Sequence, residues 1–240
     1  MVKRIAALLL AFLLTLGAGP GSGLCFAQES GAEEASGQEL LPESWFDDAL
    51  FIGDSMTGDL RTYSMLHGGL GQAKLIYVNG LGCHHIVERN KTVGYMGQAC
   101  TPEQAVELAG AGKLFFLLAA NDVGTPIEEM EDCWRTMLET IRAACPDTMI
   151  YLQSGTPFRS DAGDFNRKNM GEYNDLLRRM CEEYGCVFVD ITKGLVTEDG
   201  FMIEEYRNDI EDNVHMNPEG CKIWLNNLRD PASYSVRPQA

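Results

Sequence analysis

The chain has 240 residues, 45% of them apolar and 22% charged, with a formal net charge of −16. This length and apolar share suit one domain with a full core. The acidic balance repels polyanions over the range that salt permits and argues against nucleic acid as a partner.

Lys3 and Arg4 precede an uncharged run from Ile5 to Leu16, followed by Gly, Pro and Cys25-Phe26-Ala27. This reads as a secretory signal over residues 1–27, with cleavage after Ala27. Its apolar run is short for a bilayer span, so no stable membrane insertion is expected after cleavage. Acylation at Cys25 is the alternative, although Leu24 stands where a small residue would be expected. Residues 28–43 are rich in Glu, Gly, Ser and Ala and read as a flexible tether, with the folded domain opening near Leu41 to Trp45 and occupying 44–230. Residues 231–240 read as an irregular tail.

Within the domain, Ala49 to Ile52 is an apolar run of strand type, Gly53 breaks it, and Thr57 to Leu66 can wind as a helix, which leaves Ser55 at a strand-to-helix turn. Lys74 to Val78 is a second strand ending at Asn79-Gly80. Thr101-Pro102-Glu103-Gln104 supplies a cap, a first-turn proline and a capping-box glutamine for a helix to Gly110. Strand Lys113 to Ala119 follows, then a helix from Thr125-Pro126 to Cys145, where Pro146 stops it. Thr148 to Gln153 is a strand, Asn166 to Tyr184 a helix ended by Gly185, and Cys186 to Ile191 the fifth strand. Asn217-Pro218-Glu219 opens the last helix, which runs to Leu228. Strand and helix alternate throughout, the pattern of a parallel sheet covered on both faces.

Seven cysteines remain beyond the signal: Cys83, Cys100, Cys133, Cys145, Cys181, Cys186 and Cys221. The odd count leaves at least one thiol unpaired, and mostly buried free thiols are expected, with Cys181 and Cys186 close enough in sequence to bond. No C-x-x-C pair occurs, which disfavours a cysteine-type zinc site. His84-His85 with Glu88 reads as a polar loop, and no metal or organic cofactor is expected.

Acyl transfer by a serine needs a nucleophile, a base, a group that orients the base, and donors for the oxyanion. Ser55 is the nucleophile candidate. His215, on the loop before the last helix, is the base, and Asp212, three residues earlier, can reach back to its Nδ1. The backbone N–H of Ser55 and the side-chain amide of Asn121 are oxyanion donors, with Gly82, or else Gly80, as the third. Ser154, at a strand end, is a rival nucleophile without an assigned base, and no G-x-S-x-G elbow occurs. Asp54 and Asp122 read as turn carboxylates that accept from backbone N–H groups, His67 as a helix C-terminal residue, and Trp45 and Trp224 as core.

The order of G-D-S at Gly53 to Ser55, N-D at Asn121-Asp122 and D-x-x-H at Asp212 to His215 resembles the SGNH, or GDSL-type, hydrolases, over about Leu50 to Leu228. The resemblance implies a three-layer α/β/α flavodoxin-like sandwich with a five-stranded parallel sheet. It also implies catalytic roles for Ser55 and His215, an orienting role for Asp212, and an oxyanion hole from Ser55, Gly82 and Asn121. Two positions depart from the family pattern, Ala119 where glycine is usual and Met56 where leucine is usual. The expectation is an exported serine esterase acting on small esters, foremost carbohydrate O-acetyl groups, whether secreted or held at the cell surface. A lysophospholipase or short-chain lipid esterase is the alternative within the same chemistry, and a silent glycan-binding domain the alternative outside it.

Overall fold

The computed structural model describes residues 39–89, 91–208 and 214–236. The signal, most of the tether, Cys25 and Asp212 therefore lie outside the described residues. After a short 3-10 turn at Glu43–Phe46 come β1 (Ala49–Gly53), α1 (Ser55–His67), β2 (Lys74–Tyr77) and α2 (Cys83–Val87). Next are β3 (Val93–Tyr95), β4 (Gln98–Cys100), α3 (Pro102–Ala109), β5 (Lys113–Leu117) and α4 (Ile127–Ala144). The chain ends with β6 (Met149–Gln153), α5 (Gly163–Tyr184), β7 (Val187–Val189) and α6 (Pro218–Arg229).

Five strands form one parallel sheet in the order β2-β1-β5-β6-β7, and β3 and β4 form a separate antiparallel hairpin. Counted along the main sheet this is the flavodoxin-like order 2-1-3-4-5, whose direction reverses between β1 and β5. Successive strand residues point to opposite faces. Leu50, Ile52, Leu114, Phe116, Ile150 and Leu152 pack under α2 to α5, while Phe51, Phe115, Leu117, Tyr151 and Val189 pack under α1 and α6. The sheet is thus buried on both faces, as expected for parallel strands that read as continuous apolar runs.

Register builds an aromatic stack on the second face. Phe51 is paired with Phe115 and Phe115 with Tyr151, so their rings lie 4.4 and 4.3 Å apart and within 11° and 8° of parallel. Trp45, half-buried, packs edge-on against the stack, and Trp224 is buried in the core with its Nε1 donating to Gln153 Oε1 at 3.0 Å.

Two elements differ from the sequence reading. The α2 helix is only five residues long and the β3–β4 hairpin turns through Met96 and Gly97, both with positive φ (50° and 80°). Such a two-residue turn usually carries Asn-Gly, and Met-Gly gives no such signal. The tail is also more regular than expected. Pro231–Ser233 forms a 3-10 turn, Tyr234 bridges Val189, and Ser235 accepts from Phe188 N through Oγ (3.0 Å) and donates its N–H to Phe188 O (2.9 Å). This segment covers the free edge of β7, whose backbone groups would otherwise lack partners. At the other terminus Leu41 is buried, its N–H donates to Arg229 O (2.7 Å) and its carbonyl accepts from Arg229 Nε (3.0 Å), so the fold takes in the end of the segment read as tether.

All seven described cysteines are free, including Cys181 and Cys186, and six are buried. Among the described residues no helix is long and apolar enough to cross a membrane. The stack supplies a test of the core. Phe115→Ala removes the middle ring between two fully packed neighbours and is expected to lower unfolding free energy by about 3–5 kcal/mol, read from the midpoint of guanidinium unfolding.

Candidate active site

The reversal of strand order opens a crevice at the carboxyl ends of β1 and β5. Gly53 ends β1 where no side chain fits: a Cβ there would overlap Thr57 Oγ1 and lie 2.7 Å from Leu117 O. Asp54 caps α1, its Oδ1 accepting from Met56 N at 3.0 Å, and Ser55 is the first residue of that helix. The Ser55 N–H therefore lies in the first turn, where amides have no intrahelical acceptor and the helix dipole favours negative charge.

Asn121 and Asp122 sit on the turn after β5. Asn121 Nδ2 donates to Asp54 Oδ2 (3.0 Å) and to Leu81 O (3.1 Å), tying the ends of β1 and β5 to the loop after β2. Both amide hydrogens are thus held within the protein. Gly82 precedes α2, and its N–H donates to His85 Nδ1 at 3.1 Å. A Cβ at Gly82 would overlap Asp122 Oδ1, so glycine is required for that close approach. Gly80 has φ +66°, and its carbonyl accepts from Lys91 Nζ at 2.5 Å. The structure therefore brings the sequence's oxyanion candidates to one crevice with the Gly82 and Asn121 donors already engaged.

Asp122 is fully buried. It accepts from Cys83 N at 2.7 Å, from the His84 imidazole and, at 3.4 Å, from Tyr173 OH, which also accepts from Trp134 Nε1 (2.7 Å). His84 and His85 thus hold the loop beside the site through Asp122 and Gly82. Among the described residues no His, Cys, Asp and Glu group could hold a metal ion. Ser154 is buried, its Oγ accepting from Ile191 N at 3.0 Å, which fixes it as a structural hydroxyl. His67 ends α1 and stacks on Tyr63 at 4.5 Å. The methyl of Ala119 is accommodated by Gly155 after β6, where a Cβ would come within 2.8 Å of it.

His215 directly precedes Met216, which forms an antiparallel bridge with Arg207, and Asn217, whose side chain caps α6 by accepting from Gly220 N at 3.1 Å. Its own carbonyl accepts from Asn208 N at 3.2 Å. Its Nδ1 lies 2.6 Å from Asp59 Oδ2 on α1. A carboxylate only accepts, so Nδ1 carries the proton and Nε2 is the basic nitrogen. The imidazole also lies near enough to Asp54 to pull that carboxyl's pKa down. Asp212, the sequence's candidate for Nδ1, lies outside the described residues. Asp59 was missed, although its signal is local: Ser55 and Asp59 are four residues apart on α1 and so share a helix face.

The flavodoxin-like sheet and the groups gathered at its switch point are those of an ester hydrolase. The chain belongs to the GDSL-like Lipase/Acylhydrolase family, which matches residues 51–223. Solved structures with the same fold include a GDSL-like lipase from Bacteroides thetaiotaomicron at 14% identity and TM-score 0.59, covering 78% of this chain and 88% of that one. An acetyl xylan esterase, AlAXEase, aligns at 14% identity and TM-score 0.54, covering 75% and 96%. TesA aligns at 13% identity and TM-score 0.52, covering 75% and 94%. No curated protein matches the chain.

Burial pushes the Asp54 carboxyl up to about 7, against the opposing pull of the Met56 N–H, His215 and Asn121. Folding therefore favours its protonated form between the ordinary 3.8 and about 7. That stabilisation is complete below the lower value and is lost as pH rises through the upper one. Asp54→Asn stays neutral, so its Tm is expected to fall less than that of the wild type between about pH 5 and pH 8 in scanning calorimetry.

Proposed function

We propose that the chain is an exported serine esterase that cleaves small esters, foremost O-acetyl groups on carbohydrate, through an acyl-enzyme. The observation that carries this reading is the placement of Ser55 on the first turn of α1, at the sheet's switch point, with the His215 imidazole held against the same helix by its Nδ1. In this reading Nε2 of His215 takes the Ser55 hydroxyl proton as Oγ attacks the ester carbonyl, then returns it to the leaving alcohol. A carboxylate at Nδ1 fixes the tautomer and stabilises the imidazolium as it forms. Water, deprotonated by the same nitrogen, releases the acid from Ser55 in the second half of the cycle.

The negative charge on the carbonyl oxygen develops beside the α1 N-terminus, where the Ser55 N–H is one donor. Asn121 serves as the second by exchanging its 3.1 Å bond to Leu81 O for the oxyanion while Asp54 keeps hold of the amide. Gly82 contributes when its N–H leaves His85.

A cavity of about 370 Å³ that Asp59 helps to line supports a polar alcohol. Thr62, Arg207, Asn208 and Asn217 supply donors and acceptors suited to sugar hydroxyls beside the less polar Tyr63 and Met216. The sequence's secretory pattern at residues 1–27 supports export to where acylated glycans occur.

A panel of 4-nitrophenyl esters from acetyl to octanoyl tests the reading. Wild-type protein should release nitrophenol fastest from acetyl, and Ser55→Ala should lose about a thousandfold or more in kcat. Activity that rises with chain length would favour a lipid ester, and a folded wild type without activity would favour the silent glycan-binding domain. Asn121→Ala is expected to lower kcat by about 10²–10³ with KM little changed.

A further inference from the structure

We propose that Cys181 and Cys186 form a redox-active pair, a modification site at which a low-molecular-weight disulfide oxidises the two thiols to an intramolecular bond. The geometry begins at the end of α5. Gly185 follows the helix in the left-handed region (φ 63°), and the Cys186 N–H donates to Cys181 O at 2.9 Å. A hydrogen bond from the sixth residue back to the first, with a left-handed glycine in fifth place, defines a Schellman helix end, and the side chains at its two ends commonly meet. Both of those side chains are thiols here. A disulfide needs Cα atoms about 4.4–6.8 Å apart, a separation of the order that a direct backbone hydrogen bond between the two residues imposes.

The two sulfurs have unlike surroundings. Burial pushes the Cys186 thiol up, but Arg142, whose Nη2 donates to Cys186 Sγ at 3.8 Å, opposes that rise. Burial pushes the Cys181 thiol well up, and the charges of Cys186 and Glu182 add to the effect. Cys186 is therefore the attacking thiolate, and Cys181 the thiol that resolves the intermediate. Both line a cavity of about 690 Å³ together with Met149, Phe188 and Tyr234, large enough to admit a small disulfide. Cys83 and Cys133 are also neighbours, but Cys83 has no exposed surface.

With oxidised glutathione as the disulfide, the Cys186 thiolate attacks one of its sulfurs, forming a Cys186–glutathione bond and releasing one glutathione thiolate, which takes a proton from solvent. Cys181 then gives its proton to solvent and attacks Cys186 Sγ. The Cys181–Cys186 bond forms, the second glutathione leaves as thiolate, and two electrons have passed from the cysteine pair to the glutathione disulfide. Cys186 stands just before the amino end of β7, whereas the Ser55 crevice opens at the carboxyl ends of the parallel strands. The bond thus fastens α5 to the sheet away from the crevice, and its formation is independent of the esterase reading.

The test incubates the reduced, folded full chain with oxidised glutathione, quenches it in acid, unfolds it with N-ethylmaleimide present and digests it without reductant. Trypsin leaves both cysteines on one peptide, Met180 to Lys193, and a glutamate-specific protease then cuts between them after Glu182 and Glu183. The expected result is that the two pieces stay joined in most chains until reductant is added. Cys181→Ser removes the resolving thiol, so its Cys186 should instead retain one glutathione, which reductant releases. Wild-type pieces that separate, each carrying N-ethylmaleimide, would overturn the proposal. So would glutathione that persists on Cys186 of the wild type, or a bond between Cys83 and Cys133 formed in place of this one. Should Cys181→Ser not fold, the wild-type digest decides alone.

Discussion

The crevice depends on one buried carboxylate. Asp122 has no exposed surface, and its bonds to Cys83 N, His84 and Tyr173 draw the loop after β2, the turn after β5 and α5 to a single point. Burial of such a charge is costly unless it is paired and hydrogen-bonded, and this one has partners on both α2 and α5. With Asp122 fixed, its neighbour Asn121 can aim only towards Asp54 and Leu81. Gly82 is glycine for the same reason, because the carboxylate occupies the space that a side chain would need.

Around this anchor the site carries three described carboxylates and three described histidines in two groups. Asp122 works with His84, and with His85 nearby, to hold the loop that leads into α2, while Asp59 bonds His215. Asp54 stands between them and is bonded to the Asn121 amide. Burial pushes both Asp54 and Asp122 upward; the charge of Asp122 adds to the rise at Asp54, where His215 opposes it, while His84 and His85 oppose the rise at Asp122. The two groups differ in exposure: Asp122 is sealed, whereas Asp59 and His215 are partly exposed and Asp59 borders a cavity.

Much of this was legible in the sequence, wherever local chemistry decides. The five strands read as apolar runs, the caps at Thr101 and Asn217 bond as their sequence signatures demand, and Ser55 falls at the strand-to-helix turn. The turn role of Asp54 was read from its residue type and is met two residues away by Met56 N, whereas Ser154, a rival nucleophile by position, is buried and bonded to Ile191 N, 37 residues on. What could not be read depends on distant contacts. Nothing local announces that Tyr234 will bridge Val189, or that Asp59 will meet a histidine 156 residues away. The five-residue α2 is held through Asp122 rather than by its own propensity, so no helix signal marks it.

The covered edge of β7 bears on how the chain reaches this state. The two outermost restraints of the sheet come from opposite ends of the domain: Leu41 is clasped by Arg229, and Tyr234 and Ser235 seal the last strand. A nascent chain emerging from the ribosome carries its nucleophile strand early but lacks these seals until residues 229–235 have also emerged. Until then the β7 margin is open to pairing with a neighbouring polypeptide.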